Sequence, residues 1–278
     1  MIAPPRLTRR TYSSRTFAIE IEGHQPGFLK TLEGGNLKAP IVTDKAGADH
    51  HVFKSVGQPE YDDISFQIGI VQSPPVNDWI KDSFDKQHSR RSGALLGCDS
   101  KFKEVSRRTF TNAVITEVGF PALDANSKEA GYLTVKCKPE RIEYEQGNFH
   151  VVRGVYPENQ KFWSPANFRL DIRGLDCSDI TKIDAMVLKQ SATRHETGDE
   201  RDATVEPTQL ETPNLVVYVP ESHARSWIAW AQDFIQKGKT ELEKTGTLEF
   251  LTPNVKNVLG SLKFSNLGIF SLGYEKHD

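Results

Sequence analysis

The chain has 278 residues, 37% of them hydrophobic and 26% charged, with a formal net charge of -2. That length accommodates two domains of ordinary size, each able to bury its own core without metal or disulfide staples. The near-neutral charge excludes a strongly basic nucleic-acid binder while allowing a passive conduit for DNA, and three scattered cysteines (Cys98, Cys137, Cys177) make neither a disulfide framework nor a zinc-type pair.

Residues 1–15 carry Arg6, Arg9, Arg10 and Arg15 beside two prolines and bury almost nothing. They read as an extended arm that orders against a neighbour, or as a solvated tail. The amino terminus shows no apolar signal region, and no run of about 18 apolar residues occurs anywhere, so the expectation is a protein without a membrane span in a reducing cytosol. From Phe17 to Gly23, Phe17, Ile19 and Ile21 alternate with Ala18, Glu20 and Glu22, which is the pattern of a strand with one wet face. A second strand is expected over 36–42. The stretch 43–63 lacks a clean period and reads as a long loop, with room for a short hairpin.

Ile64, Phe66, Ile68 and Ile70 give another alternating strand, stopped by Pro74 and Pro75. Val76, Trp79, Ile80 and Phe84 then share one helix face directed at a sheet. Strands follow over 109–120 and 131–137, the latter with Leu133, Val135 and Cys137 on one side. The first domain is expected to span 16–147. Residues 148–166, with Tyr156, Phe162 and Trp163, read as a connector that packs on something rather than as a floppy linker.

The same order then recurs in a domain expected over 167–278. FAIEIEG (from Phe17) is answered by FRLDIRG (from Phe168), and the strand, proline break and Trp-Ile helix around Trp79 by those around Trp227. TFTNAVITEVGF (from Thr109) is answered by KFSNLGIFSLGY (from Lys263), aligning Phe110 with Phe264, Asn112 with Asn266 and Gly119 with Gly273. Three segments in register mark a tandem repeat. The charged segment 192–214 fills the long-loop slot. The second helix is expected to start at Ser222 as its N-cap and to end at Gly238, burying Trp227, Ala231, Phe234 and Ile235. The reading is a mainly β protein of two tandem barrel or sandwich domains, each with one flanking helix.

No catalytic constellation stands out. The Gly238–Thr240 run ends a helix and lacks the leading glycine of a phosphate loop. Adjacent His50 and His51 point to opposite strand faces, and the His195–Asp202 segment lacks the alternating ligands of a calcium loop. No catalytic, cofactor-binding or metal-binding residue is assigned.

The FAIEIEGHQPGFLKTLEGG opening, the strand-break-helix ISFQIGIVQSPPVNDWIKD and the late strand TFTNAVITEVGF together resemble the tail tube proteins of contractile phage tails and their relatives in injection and secretion tubes. The resemblance covers most of 16–147 and, more weakly, 167–278. It implies domains whose sheets join six to a ring around a lumen, in stacked rings, with no catalysis and no cofactor. It makes Glu20 and Glu22, then Arg169, Asp171 and Arg173, candidates to face the lumen, with exterior solvent as the alternative. Trp79, Phe84, Trp227 and Phe234 are the expected helix anchors. Three chains would supply six domains as a pseudo-hexamer, or six chains would form a ring from the first copies. Implied partners are sheath, baseplate and tape-measure proteins in a virion tail assembled in the host cytoplasm, with DNA passing unbound. A baseplate hub or tube initiator is the alternative, and a β-rich hydrolase or carbohydrate-binding module a third.

Overall fold

The computed structural model describes residues 16–24, 27–44, 52–70, 73–85, 89–154, 163–196 and 202–275. The arginine arm, His50, His51, Tyr156 and Phe162 lie outside them. The first copy opens with β1 (Thr16–Ile21), β2 (Gly27–Leu29), β3 (Thr31–Gly34), β4 (Leu37–Lys38), β5 (Ile41–Asp44), β6 (Phe53–Val56), β7 (Glu60–Tyr61) and β8 (Ile64–Ile68). It continues through α1 (Pro74–Phe84), β9 (Arg91–Cys98), the long β10 (Glu104–Phe120), β11 (Leu123–Asp124), β12 (Leu133–Lys138) and β13 (Arg141–Gln146). The second contains β14 (Phe168–Ile172), β15 (Lys182–Ile183), β16 (Met186–His195), β17 (Thr204–Glu211), β18 (Val217–Tyr218), α2 (Arg225–Ala231), β19 (Lys244–Leu251) and β20 (Val258–Leu267). All described pairings between these strands are antiparallel.

The repeat is exact to the residue in its ladders. Lys38 opposite Glu60 recurs as Lys189 opposite Glu211, an offset of 151 residues, and Val42 opposite Ser55 recurs as Thr193 opposite Glu206. Leu32 opposite Phe66 becomes Ile183 opposite Val217. Ile21, Gly93 and Phe110 lie across three strands as Ile172, Gly246 and Phe264 do in the second copy. Side chains alternate faces along a strand, so a slip of one residue would exchange core and solvent faces throughout. Conserved register therefore carries the same core positions into both halves.

In the first copy the strands run in the order β2-β1-β9-β10-β12-β8-β3. The alternation at Ile64, Phe66 and Ile68 puts all three in the core, because β8 is flanked by β3 and β12. The second copy has no described counterpart of β12 or β13 between β18 and β20. An open groove of about 2100 Å³ lies there, lined in part by Val217, Val219, Trp227, Phe264 and Leu267. Val217 and Val219 are accordingly half-buried, where β8 is sealed.

Several expectations need correction. Pro74 and Pro75 do more than end a strand, since they occupy the first turn of α1, where a missing N–H leaves no bond unmade. Segment 192–214 is no loop but much of the β16–β17 hairpin. Its apolar period is weak because few of its side chains are buried, and Thr193 and Thr204 supply β propensity instead. The strand expected over 36–42 is divided into β4 and β5. Ala18 is buried in a small second cluster with Phe28 and Leu96, so the wet face of β1 begins only at Glu20. Ser222 is not the N-cap of α2, which follows a short 3-10 turn at Glu221–His223 and has Ala224 before its first residue. A π turn over Gln232–Gln236 then alters the helical period. Trp230 shares the regular helix face of Trp227 and Ala231 and is buried with them, while Ile235, inside the π turn, is exposed and Phe234 half-buried.

The copies do not keep separate cores. Phe120 of the first stacks on Phe250 of the second at 5.7 Å between ring centroids, and Trp163 meets Phe250 edge-on at 5.3 Å. Buried residues of both halves form one apolar cluster. Trp163 is buried in that shared cluster. Its ring lies so close to Gly131 that a Cβ there would fall 2.0 Å from it.

Candidate assembly edges and channel face

Two features bear on function: the outer polar face of each three-strand layer, and the edges at which the copies meet. On β1 the side chain of Glu20 lies on the face opposite Ile19 and Ile21, and Glu22 follows the strand in a turn with a φ of 49°. Glu20 is paired with Arg107 on β10 at 3.0 Å, and Arg107 also reaches the buried Glu104 at 3.1 Å. Glu22 is paired with Arg91 at 2.9 Å, which in turn holds Asp82 of α1 at 2.7 Å. In the second copy Arg169 receives its partner from Glu249 on the neighbouring β19, with Nε donating at 2.8 Å. Asp171 on β14 is exposed, as is Arg173 in the turn that follows it. The face is thus a lattice of cross-strand ion pairs of both signs, which an isolated reading of β1 as acidic did not reveal, because the arginines come from distant strands.

The helix anchors behave differently in the two copies. Trp79 is fully buried, stacks on Phe110 at 6.5 Å and donates its indole N–H to the Ser89 carbonyl at 3.0 Å. Phe84 is half-buried beside it. Trp227 is buried and donates to the Asp176 carbonyl at 2.8 Å. The same turn holds His223 between Asp176 at 2.8 Å and Asp179 at 2.9 Å. Its hydrogen bond to the Asp176 carboxylate raises the His223 pKa above its ordinary value. Bonds from Ser178 and then His223 lower that of Asp176 to about 2. Sequence reasoning missed this cluster, since only the fold brings 176–179 against residue 223.

The decisive geometry is the junction between copies. The last residues of β10 have β12 on one edge and a strand of the other copy on the second edge: Glu117, Val118, Gly119 and Phe120 pair with Lys189, Leu188, Val187 and Met186. Leu123 and Asp124 continue the contact opposite Ile183 and Lys182. The sheet of the first copy therefore runs into the second without a break. The β16–β17 hairpin also folds back onto the first copy. Glu140 accepts a hydrogen bond from the Val205 N–H at 2.9 Å, and the Tyr61 hydroxyl donates to Asp202 at 3.2 Å.

Residues 13–143 match the family of the T4-like virus tail tube protein gp19. This part of the chain is a tail tube domain. No curated protein matches the chain. Among solved structures, the tail tube fold aligns with a sheath-tube complex of an extracellular contractile injection system, at 16% identity over 50% of this chain and 94% of that one, with a TM-score of 0.44. The tube-terminating cap of the anti-feeding prophage aligns at 16% identity over 53% and 96%, TM-score 0.43. Hcp1 from Flavobacterium johnsoniae aligns at 15% identity over 48% and 96%, TM-score 0.33. The second copy repeats the tail tube ladders in register, so the chain is mainly β with two tandem tube-like domains, each carrying one flanking helix.

Proposed function

We propose that the chain is a structural subunit of a phage-like contractile tail tube, in which three molecules supply six domains to a ring around a lumen and the rings stack. The observation that carries this reading is the internal junction. There the first domain passes its sheet to the second through four consecutive residue pairs, and repetition of that contact between molecules closes a ring with no free sheet edge. The ring units are 16–147 and 167–278, joined by 148–166, with 1–15 as an assembly arm. Glu20, Glu22, Arg169, Asp171 and Arg173 face the lumen, where ion-paired charges of both signs offer passing DNA or cargo no sticky basic surface. The chain performs no catalysis, and its partners are sheath, baseplate and tape-measure proteins of a virion tail. Electron microscopy of the purified full chain, with classification of end views, tests the reading. Rings whose mass equals three chains are expected, and a protein that stays monomeric at all concentrations would overturn it.

The unequal copies favour a second reading, a baseplate hub or tube initiator. The open groove between β18 and β20 occurs once per chain, so a ring of three has true threefold surface features of the kind that mate a threefold partner to a sixfold tube. Copy number per particle separates the two, with a few copies indicating the hub.

A further inference from the structure

We infer that the molecules join by pairing residues 271–274 of one chain with residues 35–38 of the next, in the register already present inside each chain, and that the Tyr144 hydroxyl guards the accepting edge until they meet. This rests on the ring reading above and specifies its contact.

The internal junction is the template. Phe110 and Asn112 correspond to Phe264 and Asn266, and the buried Ile115 corresponds to the buried Ile269. The alignment therefore continues past the end of β20. Along it, Val118, Gly119 and Phe120 become Leu272, Gly273 and Tyr274. Their partners Leu188, Val187 and Met186 become Leu37, Asn36 and Gly35, by the same offset that relates the hairpin ladders. The expected contact is Leu272 opposite Leu37, Gly273 opposite Asn36 and Tyr274 opposite Gly35.

Burial agrees with an absent partner. Val118, which has its neighbour, is 0% exposed, whereas Leu272 is 50% and Leu37 53% exposed; Tyr274 is 86% exposed where Phe120 is buried. Residues 268–274 hold no described strand pairing although their counterparts, 114–120, lie within β10. The hairpin β5–β6 likewise presents Ile41, Phe53 and Val56 to solvent. Its counterpart β16–β17 is the one that folds onto the other domain. Apolar side chains are thus bare at both ends of the chain, at the positions that the template covers.

The accepting edge is occupied for the present by a side chain. The Asn36 carbonyl turns inward to accept from the Asp62 N–H at 2.9 Å and the Gly35 N–H turns inward to the Asp63 carbonyl at 3.3 Å, whereas the Leu37 N–H and the Gly35 carbonyl turn away from that pairing. The Leu37 N–H donates to the Tyr144 hydroxyl at 3.2 Å, and that hydroxyl donates to the Gly35 carbonyl at 2.8 Å. One phenol therefore satisfies the donor and acceptor that an incoming strand would use, which protects a short edge from pairing with an unrelated chain. The arriving segment displaces it.

Disulfide trapping in the full-length protein tests the register. Strands put directly opposed Cα atoms about 4.5–5.5 Å apart, within disulfide range, and a Cβ on Gly273 meets nothing within 4 Å. The double variant Asn36→Cys with Gly273→Cys, oxidised after assembly, is expected to give linked dimers and a closed covalent trimer. Leu37→Cys with Gly273→Cys, displaced by one residue, is expected to give neither. Rings of three chains that form normally without linkage through 36 and 273 would overturn the register and leave the ring reading standing. A monomeric protein without linkage would overturn both. Tyr144→Phe keeps the half-exposed ring and removes the hydroxyl. It is expected to lower the concentration needed for assembly roughly three- to tenfold, the worth of about one net hydrogen bond. Unchanged assembly would overturn the guarding role.

Discussion

Asn112 on β10 and Asn266 on β20 adopt the same left-handed backbone, with φ of 49° and 55°. Each follows the phenylalanine that faces a glycine on the neighbouring strand, and each sits where the ladder slips register. A bulge with a residue in this conformation sharpens the local twist and re-aims the strand. Asparagine tolerates the conformation better than most residues, and a β-branched side chain tolerates it poorly. Asn266→Val is therefore expected to cost about 1–2 kcal/mol, and Asn266→Gly to remain within about 0.5 kcal/mol of the parent. Chemical denaturation measures both, and equal stability of the two variants would refute the bulge as the reason for asparagine.

The glycines opposite those phenylalanines are unequal. A Cβ on Gly93 would lie 2.2 Å from the Glu20 carbonyl oxygen and 2.7 Å from the Phe110 ring, whereas on Gly246 the nearest atoms, the Asp171 oxygen and Ile172 Cγ1, are 2.9 Å away. Backbone cannot yield as a side-chain tip can. Gly93→Ala is expected to cost about 3 kcal/mol and Gly246→Ala about 1 kcal/mol, read from thermal or denaturant midpoints.

Removing a helix anchor should act on the whole molecule, because the two copies share one core. Trp79→Ala loses a fully buried ring and its bond to Ser89, and about 3–5 kcal/mol of stability. Trp227→Ala loses somewhat less, since its ring borders the open groove. A single cooperative transition is expected in both variants. Two separate transitions would show that the domains melt independently.

Much of the fold was legible because burial imposes period two on β8 and β12, where Ile64, Phe66, Ile68, Leu133, Val135 and Cys137 all point inward. The β16–β17 hairpin was not, since a ladder with few buried side chains needs no apolar alternation. Nor was the exposure of Ile235, because the π turn that contains it breaks the 3.6-residue period on which the face was assigned, whereas the buried Trp230 lies three residues after Trp227 on the regular helix face. On the candidate channel face, Glu20 and Glu22 could be named from the alternation over Phe17–Gly23 alone, although Glu22 falls in the turn after β1, but their partners Arg107 and Arg91 lie on other strands. Residue-level pairing across strands depends on register, which one strand's sequence does not contain.

The cluster around His223 should make stability respond to pH. Asp176 holds the imidazolium, so the folded pKa of His223 is raised. Its contribution is complete below the unfolded value of about 6.5 and is lost as pH rises through the folded value. The Asp176 pKa is lowered to about 2, so its contribution is present above its unfolded value of about 3.9 and fades as pH falls toward 2. The denaturation midpoint is expected to decline as pH rises beyond neutrality, and His223→Gln to flatten that decline. NMR titration of His223 with a midpoint below 6.5 would contradict the assignment.

Thiol reactivity reports on the junctions of the fold. Cys98 is buried at the end of β9, and desolvation, followed by the nearby Glu104, pushes its pKa up to about 11. Cys137 is sealed on β12 between β8 and β10, and burial raises its pKa further still. Cys177 is half-buried near the Asp176 turn and is also raised, chiefly by desolvation. The thiolate is the reacting species, so all three should react slowly with an aromatic disulfide at neutral pH, Cys177 first and Cys137 only on unfolding. Prompt modification of Cys137 in the native protein would show that β12 leaves its place, and with it the support for the one edge of β10 that does not face the second domain.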